Sequence, residues 1–339
     1  MNRILIFLLP ALLYPGCAPR CTKAAANDNA EEMHHSDSVP AATMSTAAVK
    51  KPDQHSAKKN CQPDYFFAVA LYNTVYYGNS LENMVKLDIA SAQLDISPDG
   101  RTIAYSSYCK PGRRIIKVID IETQEATFLD LPQYNVYMGS WNNNGNYLAL
   151  NSQSTVYSHW QPILYNIETG EFFDIDWLDT DNDYYNPVFS PDGKRLVFHD
   201  ICRIYICDFV RNHAVLKRVI DTEDLCNVDN AGFSDYCKFQ MSNDGNYLVF
   251  TVETDILEED LCPKTTLCSY EINTGRLRRM TDSHCTVTDF AISSANEIYY
   301  CTCNKDKELF EGYMAHIDGS DPVVSATFKE RTYAIAVAK

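Results

Sequence analysis

Three aspartates, Asp179, Asp181 and Asp183, stand at alternate positions in an acidic stretch of the chain. Carboxylate oxygens at this spacing are typical of calcium-binding loops. The stretch departs from the EF-hand pattern, because Tyr184 stands in place of its glycine and Ser190 in place of its final glutamate. A calcium site is therefore one interpretation, and an acidic loop without a metal is the other. No other metal site and no cofactor is predicted.

The chain contains 13 cysteines, which are candidates for disulfide bonds if the protein is exported. Three pairs are possible. Cys202 and Cys207 flank a predicted turn between strands, and Cys226 with Cys237, and Cys262 with Cys268, lie in or beside long loops of the fourth repeat. The alternative is that these cysteines are buried thiols that act as small apolar side chains. No Cys-x-x-Cys spacing typical of a zinc site is present.

No catalytic residue is predicted. The chain has no Gly-x-Ser-x-Gly motif, which marks the nucleophile of many hydrolases. The histidines share no spacing typical of metal ligands. His159, Trp160 and Trp141 fit the lining of a groove for a sugar or a peptide, and they equally fit positions in a core or at its rim.

A short phrase that recurs five times indicates the elements that carry these residues. Each copy has an apolar strand start, a tight polar turn and a second apolar strand. The copies span residues 94–105, 139–150, 187–198, 239–250 and, in weaker form, 290–300. The turn glycines of the first four copies lie 45, 48 and 52 residues apart. Strand-filled repeats of this period are typical of β-propellers, so we predict an all-β propeller of four-stranded antiparallel blades.

The turn in each copy has a clear physical purpose. Aspartate folds its side chain onto the backbone, and glycine tolerates the positive φ that closes the hairpin. The repetition favours a structural role, since a catalytic group usually occurs once. The predicted structural turn residues are Asp99, Gly100, Gly145, Asp192, Gly193, Asp244 and Gly245.

The phrase Phe-Ser-Pro-Asp-Gly-Lys-Arg-Leu-Val-Phe at 189–198 closely resembles the repeat of the TolB-like β-propeller family. The resemblance covers roughly residues 90–325 and is strongest at 94–105 and 188–198. It implies a propeller and specifies no activity. Peptidases that carry such a propeller join it to an α/β-hydrolase domain, which we do not expect in this chain.

Residues 61–339 hold about six units at this period, so six blades are expected and five closed blades are the alternative. The sixth blade would be shared by the two ends of the chain. Apolar strands are predicted at 332–338, 65–72 and 84–89. Pairing the last strand with the first ones would close the ring and remove two exposed edges.

The first sixty residues indicate export. Residues 1–16 have one arginine and a short apolar run, which is typical of a signal peptide. Gly16-Cys17 resembles the cleavage site of bacterial lipoproteins, which implies lipidation of Cys17; an ordinary secretion signal is the alternative. Residues 17–60 are polar and predict a disordered tether. No aspartate follows Cys17, so the lipoprotein resemblance implies an outer-membrane protein facing the periplasm or the cell surface.

The whole chain carries a net charge of −16. Residues 61–339 hold 22 basic and 40 acidic side chains, which gives −18. Such a surface argues against nucleic acid and against direct contact with anionic lipid headgroups. Because the sequence combines a repeat scaffold with no catalytic motif, we expect a non-catalytic propeller that binds a protein or peptide in the cell envelope. The alternative is a propeller hydrolase or lyase that acts on a carbohydrate or small metabolite in the central channel.

Overall fold

The computed structural model of the chain describes residues 65–72, 74–110, 112–155, 158–225, 232–255, 264–281, 286–304 and 309–339. The predictions for residues 1–60, which are the signal peptide, the lipidated Cys17 and the tether, lie outside this range. Within the described residues, no helix has the length and apolar character needed to cross a bilayer.

The described residues form 24 strands and one short 3₁₀-helix at Thr222–Leu225. The strands are β1 (Phe67–Leu71), β2 (Thr74–Gly78), β3 (Val85–Ala90), β4 (Leu94–Ile96), β5 (Thr102–Lys110), β6 (Arg113–Asp120), β7 (Ala126–Phe128), β8 (Asn135–Trp141), β9 (Tyr147–Gln153), β10 (Gln161–Asn166), β11 (Phe172–Asp174), β12 (Tyr185–Phe189), β13 (Arg195–His199), β14 (Arg203–Val210), β15 (His213–Asp221), β16 (Phe239–Met241), β17 (Tyr247–Asp255), β18 (Lys264–Glu271), β19 (Arg276–Arg279), β20 (Thr286–Ile292), β21 (Glu297–Asn304), β22 (Leu309–His316), β23 (Val323–Phe328) and β24 (Thr332–Val337).

These strands form six antiparallel sheets of four strands each, which are the blades. Blade 1 has the order β24-β1-β2-β3, and blades 2 to 6 each use four consecutive strands in chain order, from β4-β5-β6-β7 to β20-β21-β22-β23. The innermost strands of successive blades contact one another around a common axis. The predicted six-bladed, all-β propeller is therefore confirmed, and the five-bladed alternative is excluded.

The two ends of the chain close the ring, as the apolar pattern predicted. β24 pairs with β1 in antiparallel register, with Phe67 opposite Val337 and Val69 opposite Ile335. Blade 1 therefore takes its innermost strand from one end of the chain and its other three strands from the opposite end. This pairing removes two exposed edges.

The recurring phrase is the hairpin between the first and second strands of blades 2 to 6. In blade 4, the Ser190 hydroxyl donates to Asp192, and Asp192 Oδ1 accepts the N–H of Lys194. The Ser190 hydroxyl oxygen also accepts the N–H of Arg195. The Ser97–Asp99 and Ser242–Asp244 turns repeat all three hydrogen bonds. The glycines at 100, 145, 193 and 245 have φ between 66° and 73°.

The turns of blades 3 and 4 also lie against the turn of the preceding blade. A Cβ on Gly193 would lie 2.2 Å from Oδ1 and 2.9 Å from the backbone nitrogen of Asn143. A Cβ on Gly145 would meet only Pro98 Cδ, at 3.7 Å. Glycine at 193 is therefore required by close approach as well as by φ, whereas glycine at 145 is required by φ alone.

The hydrophobic core lies between blades. Six clusters of buried side chains each join the facing sides of two neighbouring blades, and together they form a closed ring. The second strands are the most buried; Tyr147 to Ser152 of β9 and Leu196 to His199 of β13 are buried without interruption. A continuous apolar run is what a strand packed on both faces requires.

Candidate functional site

The central channel is lined by the residue two positions before the turn in each first strand. Three of these side chains bind the backbone of the next blade: Asp95 accepts the N–H of Trp141 at 2.7 Å, Ser140 accepts the N–H of Phe189 at 2.6 Å, and Gln240 accepts the N–H of Ile292 at 3.1 Å. These bonds fasten neighbouring blades together at the axis.

A second set of hydrogen bonds between blades involves residues that lie two positions earlier along the first strands. The Asn186 amide donates to the Cys237 carbonyl at 2.9 Å, and Lys238 Nζ donates to the Phe290 carbonyl at 2.6 Å. Asp289 Oδ2 accepts the N–H of Ile335 at 3.0 Å. These polar groups around the axis are therefore already hydrogen-bonded within the structure.

Lys339 fills the channel. Its Nζ lies 3.6 Å from Asp95 Oδ2 and donates to the Trp141 carbonyl. The side chains of Lys339 and Asp95 are only 3% and 10% exposed. Burial raises the pKa of Asp95 despite the nearby lysine, and burial lowers the pKa of Lys339. The remaining cavity is about 20 Å³, which is room for a water molecule. A channel of this size does not hold a carbohydrate or metabolite.

The end of the ring at which the second strands end and the first strands begin is termed the loop end. Four side chains there form an aromatic–arginine ladder: Tyr108, Arg114, Tyr137 and Trp160. The Arg114 guanidinium carbon lies 4.8 Å from the Tyr108 ring centroid and 4.3 Å from that of Tyr137. Tyr137 in turn contacts Trp160 edge-to-face at 4.7 Å. The ladder therefore spans blades 2 and 3.

Strand register and local hydrogen bonds position the ladder. Tyr108 and Arg114 are directly opposite each other in the β5–β6 hairpin. The N–H of Arg114 donates to Asn135 at the start of β8, at 2.8 Å, and Arg114 also donates to the Tyr108 hydroxyl. Two rings and two hydrogen bonds thus fix the Arg114 residue on the surface.

A group of carboxylates continues the loop end into blades 4 and 5. Asp183 accepts the N–H of Trp160 at 2.7 Å, and its other oxygen lies 3.2 Å from His159 Nδ1. Partial burial and the charge of Asp183 raise the pKa of Asp235, which keeps an exposed face. Burial also raises the pKa of Glu253, with a further contribution from Asp235.

The described part of this surface holds no complete catalytic constellation. The His159–Asp183 contact has the geometry with which a carboxylate orients a histidine base. The neighbouring Ser158 hydroxyl, however, donates to the Thr155 carbonyl at 3.0 Å and makes no bond to His159. Among the described residues, no group of three or more His, Cys, Asp or Glu side chains has a metal-binding arrangement.

The three aspartates of the calcium interpretation do not converge. Asp179 accepts the N–H of Asp181 at 3.0 Å through one oxygen and the Asn182 amide at 2.9 Å through the other. Asp183 binds Trp160 and His159 instead. The stretch forms an acidic loop between blades 3 and 4.

The predicted Cys202–Cys207 disulfide is wrong. β14 is continuous, and its four steps from Arg203 to Cys207 alone cover roughly 13 Å. A disulfide requires Cα atoms within about 7 Å. Cys207 is instead a buried thiol whose pKa burial raises to about 12.

Neither of the other two predicted pairs lies wholly within the described residues. Cys226 lies outside them, and Cys237 is buried, with its sulfur accepting the N–H of Ser234, so the Cys226–Cys237 pair stays a prediction. Cys262 also lies outside them, and Cys268 is buried within β18. The Cys262–Cys268 pair therefore stays a prediction.

The structure separates the two candidate tryptophans. Trp141 is buried in the core between blades 2 and 3, whereas Trp160 is at the surface of the loop end beside His159. The sequence interpretation did not find Arg114 or Tyr108. The available signal was the run from Tyr108 to Arg114, which contains Lys110, Arg113 and Arg114 and no acidic residue in a strongly acidic chain.

The fold is that of a six-bladed β-propeller, and comparisons with solved structures agree with this assignment. TolB from Acinetobacter baumannii is 15% identical, with 82% of this chain and 67% of that chain covered and a TM-score of 0.59. A chain of a nidogen/laminin complex is 11% identical, with 81% and 98% covered and a TM-score of 0.53.

A dipeptidyl peptidase 4 from Porphyromonas gingivalis also matches, at 15% identity and a TM-score of 0.40, with 69% of this chain and 39% of that chain covered. No protein-family model and no curated protein matches the chain. The chain therefore has the TolB-like propeller fold, in agreement with the repeat phrase. At these identities the likeness extends to the fold alone.

Proposed function

We propose that this chain is a non-catalytic, exported propeller that binds a protein or peptide partner of the cell envelope at its loop end. The observation that carries the proposal is the aromatic–arginine ladder, in which Tyr108 is 62% exposed. Aromatic and arginine side chains that are held in place at a surface dominate the binding energy of protein interfaces.

The rest of the ring supports this use of the loop end. The channel is filled by Lys339 and by polar groups that bond to the next blade. The turns between first and second strands bind their own backbone and pack on the neighbouring blade. A rigid ring presents the ladder without the entropic cost of ordering it on binding.

The cellular context of the proposal rests on the sequence. It includes a signal peptide at 1–16, a lipid on Cys17 and a tether over 17–60, with the outer membrane as the location. Mass analysis of the mature amino terminus tests it. Acylation that Cys17→Ala abolishes supports the anchor, and an unacylated wild-type terminus refutes it.

Site-specific photo-crosslinking tests the binding face. A photoreactive residue at Tyr108 is compared with one at Phe128, which belongs to the same blade and is 61% exposed. In envelope extracts, we expect Tyr108 to capture one discrete protein and Phe128 to capture none. Equal patterns from both positions would refute binding at the loop end.

A further inference from the structure

Arg114 is fixed at the surface without an acidic partner. Its guanidinium lies between the rings of Tyr108 and Tyr137 and donates to the Tyr108 hydroxyl. Among the described residues, no carboxylate lies within ion-pair distance of it. This is unexpected in a propeller with a net charge of −18. The donors that remain on the guanidinium have the planar fork that matches a carboxylate.

The neighbours of Arg114 in the β5–β6 hairpin are basic. Arg113 precedes it, and among the described residues the buried Nε of Arg113 has no hydrogen-bond partner. Lys110 pairs with Arg113 across the hairpin. Along the ladder, Asp183 follows the rings of Tyr137 and Trp160 and accepts the N–H of Trp160.

We propose that Arg114 binds the carboxylate of an aspartate or glutamate side chain in the partner protein, and that the ladder rings contact the residues beside it. This inference rests on the proposed function and names the chemistry that the loop end recognises. The ladder lowers the entropic cost of binding, because the rings already hold the arginine side chain in place.

A protein segment suits this site better than a membrane does. An anionic bilayer extends over the whole ring and meets its net negative charge, which repels it. A short acidic segment meets mainly the local charges, because ionic strength screens more distant ones beyond about 8–10 Å.

Titration of the full-length protein with two matched peptides tests the proposal by NMR. The first is acetyl-Gly-Ser-Glu-Pro-Gly-amide, and the second has glutamine in place of glutamate. The probes are the side-chain Nε–H of Arg114 and the indole N–H of Trp160. We expect the glutamate peptide to shift both signals and to bind about tenfold or more tightly than the glutamine peptide, the ratio given by one charge-assisted hydrogen bond.

Substitutions of Arg114 distinguish recognition by the planar guanidinium from attraction by a positive charge alone. Arg114→Lys keeps the charge but loses the planar fork and the stacking, so we expect it to weaken glutamate-peptide binding nearly as much as Arg114→Gln. Arg218→Gln, an exposed arginine on β15, is the control and should leave binding unchanged. Equal binding of the two peptides, or equal loss with Arg218→Gln, would overturn the inference.

Two further arms identify the source of the carboxylate. The Arg114 signal should not shift with acetyl-Gly-Ser-Gln-Pro-Gly, which has a free terminal carboxylate. It should also not shift with vesicles that contain anionic phosphatidylglycerol. A shift with either one overturns the assignment to an acidic side chain. Crosslinking at Tyr108 without any response to the glutamate peptide refutes this inference alone, whereas loss of the crosslink refutes the proposed function.

Discussion

The Asp95–Lys339 ion pair at the axis is expected to make the stability of the ring depend strongly on both partners. At 3.6 Å, two unit charges attract by about 4–5 kcal/mol if the effective dielectric constant is near 20. Burial raises the pKa of Asp95 and lowers that of Lys339, so desolvation offsets much of this attraction. Removing one partner leaves the other charge buried and unpaired.

We therefore expect Lys339→Met and Asp95→Asn each to lower the free energy of unfolding by about 3–5 kcal/mol at neutral pH. The double variant should cost less than either single variant, because neither charge remains in the channel. Urea denaturation followed by tryptophan fluorescence measures all four proteins. Lys194→Met is the control; the Lys194 side chain, which forms an ion pair with Asp192, is 78% exposed, so its loss should cost no more than about 1 kcal/mol.

The two single variants should respond to pH in opposite directions. In Lys339→Met, Asp95 has a folded-state pKa above its unfolded-state value, so the folded protein binds more protons between the two. Its stability therefore falls as pH rises through that window, which begins near 4. In Asp95→Asn, the folded-state pKa of Lys339 lies below its unfolded-state value, so stability rises with pH through a window that ends near 10.

Measurements between pH 5 and 9 would show these opposite slopes as a difference between each variant and the wild-type protein. Single variants that are as stable as wild type, or slopes of the same sign in both, would refute the account of the axis as a buried ion pair. A double variant less stable than both single variants would have the same consequence.

Two further predictions concern the turns and the thiols. Gly145→Ala should cost about 1–3 kcal/mol through its positive φ alone, and Gly193→Ala should cost at least about 1 kcal/mol more, since its Cβ also clashes with the preceding blade. Thermal unfolding compares the two, and equal costs would show that the clash relaxes without penalty. In the folded protein at pH 8, a thiol reagent should modify the exposed Cys109, whereas the buried Cys207 and Cys237, whose pKa values burial raises to about 12, should react only after unfolding. Mass mapping of the modified peptides checks this, and rapid labelling of Cys207 would contradict the packing of blade 4.

The fold was predictable because its signals are local. A Ser-x-Asp-Gly turn makes its hydrogen bonds within five residues, as Ser190 and Asp192 do. The sequence of the turn alone therefore predicts a hairpin. The closure was also predictable, since the apolar run at 332–338 has no partner among its sequence neighbours. The Cys202–Cys207 error arose from placing a turn where β14 continues, and strand boundaries are the least certain part of such predictions.

The site was not predictable in the same way, because its residues meet only through the ring. Arg114 and Tyr137 lie in different blades, and Trp160 follows a loop that no repeat phrase contains. Asp95 and Lys339 belong to the first and last parts of the propeller, and only closure brings them together. Periodicity defines a blade, but it does not determine which side chains of one blade face those of the next.

The distribution of bonds around the ring is compatible with the proposal that the loop end binds the partner. At the opposite end, the turn of blade 4 packs closely on the turn of blade 3, where Gly193 leaves no space for a side chain. At the axis, Asp95, Gln240 and Asp289 bind the backbone of the next blade. At the loop end, the residue eight positions after the turn glycine is Tyr108 in blade 2 and Glu253 in blade 5, an aromatic residue and an acidic one. Side chains there vary without breaking the ring, so that end can carry a surface whose basic and acidic halves differ.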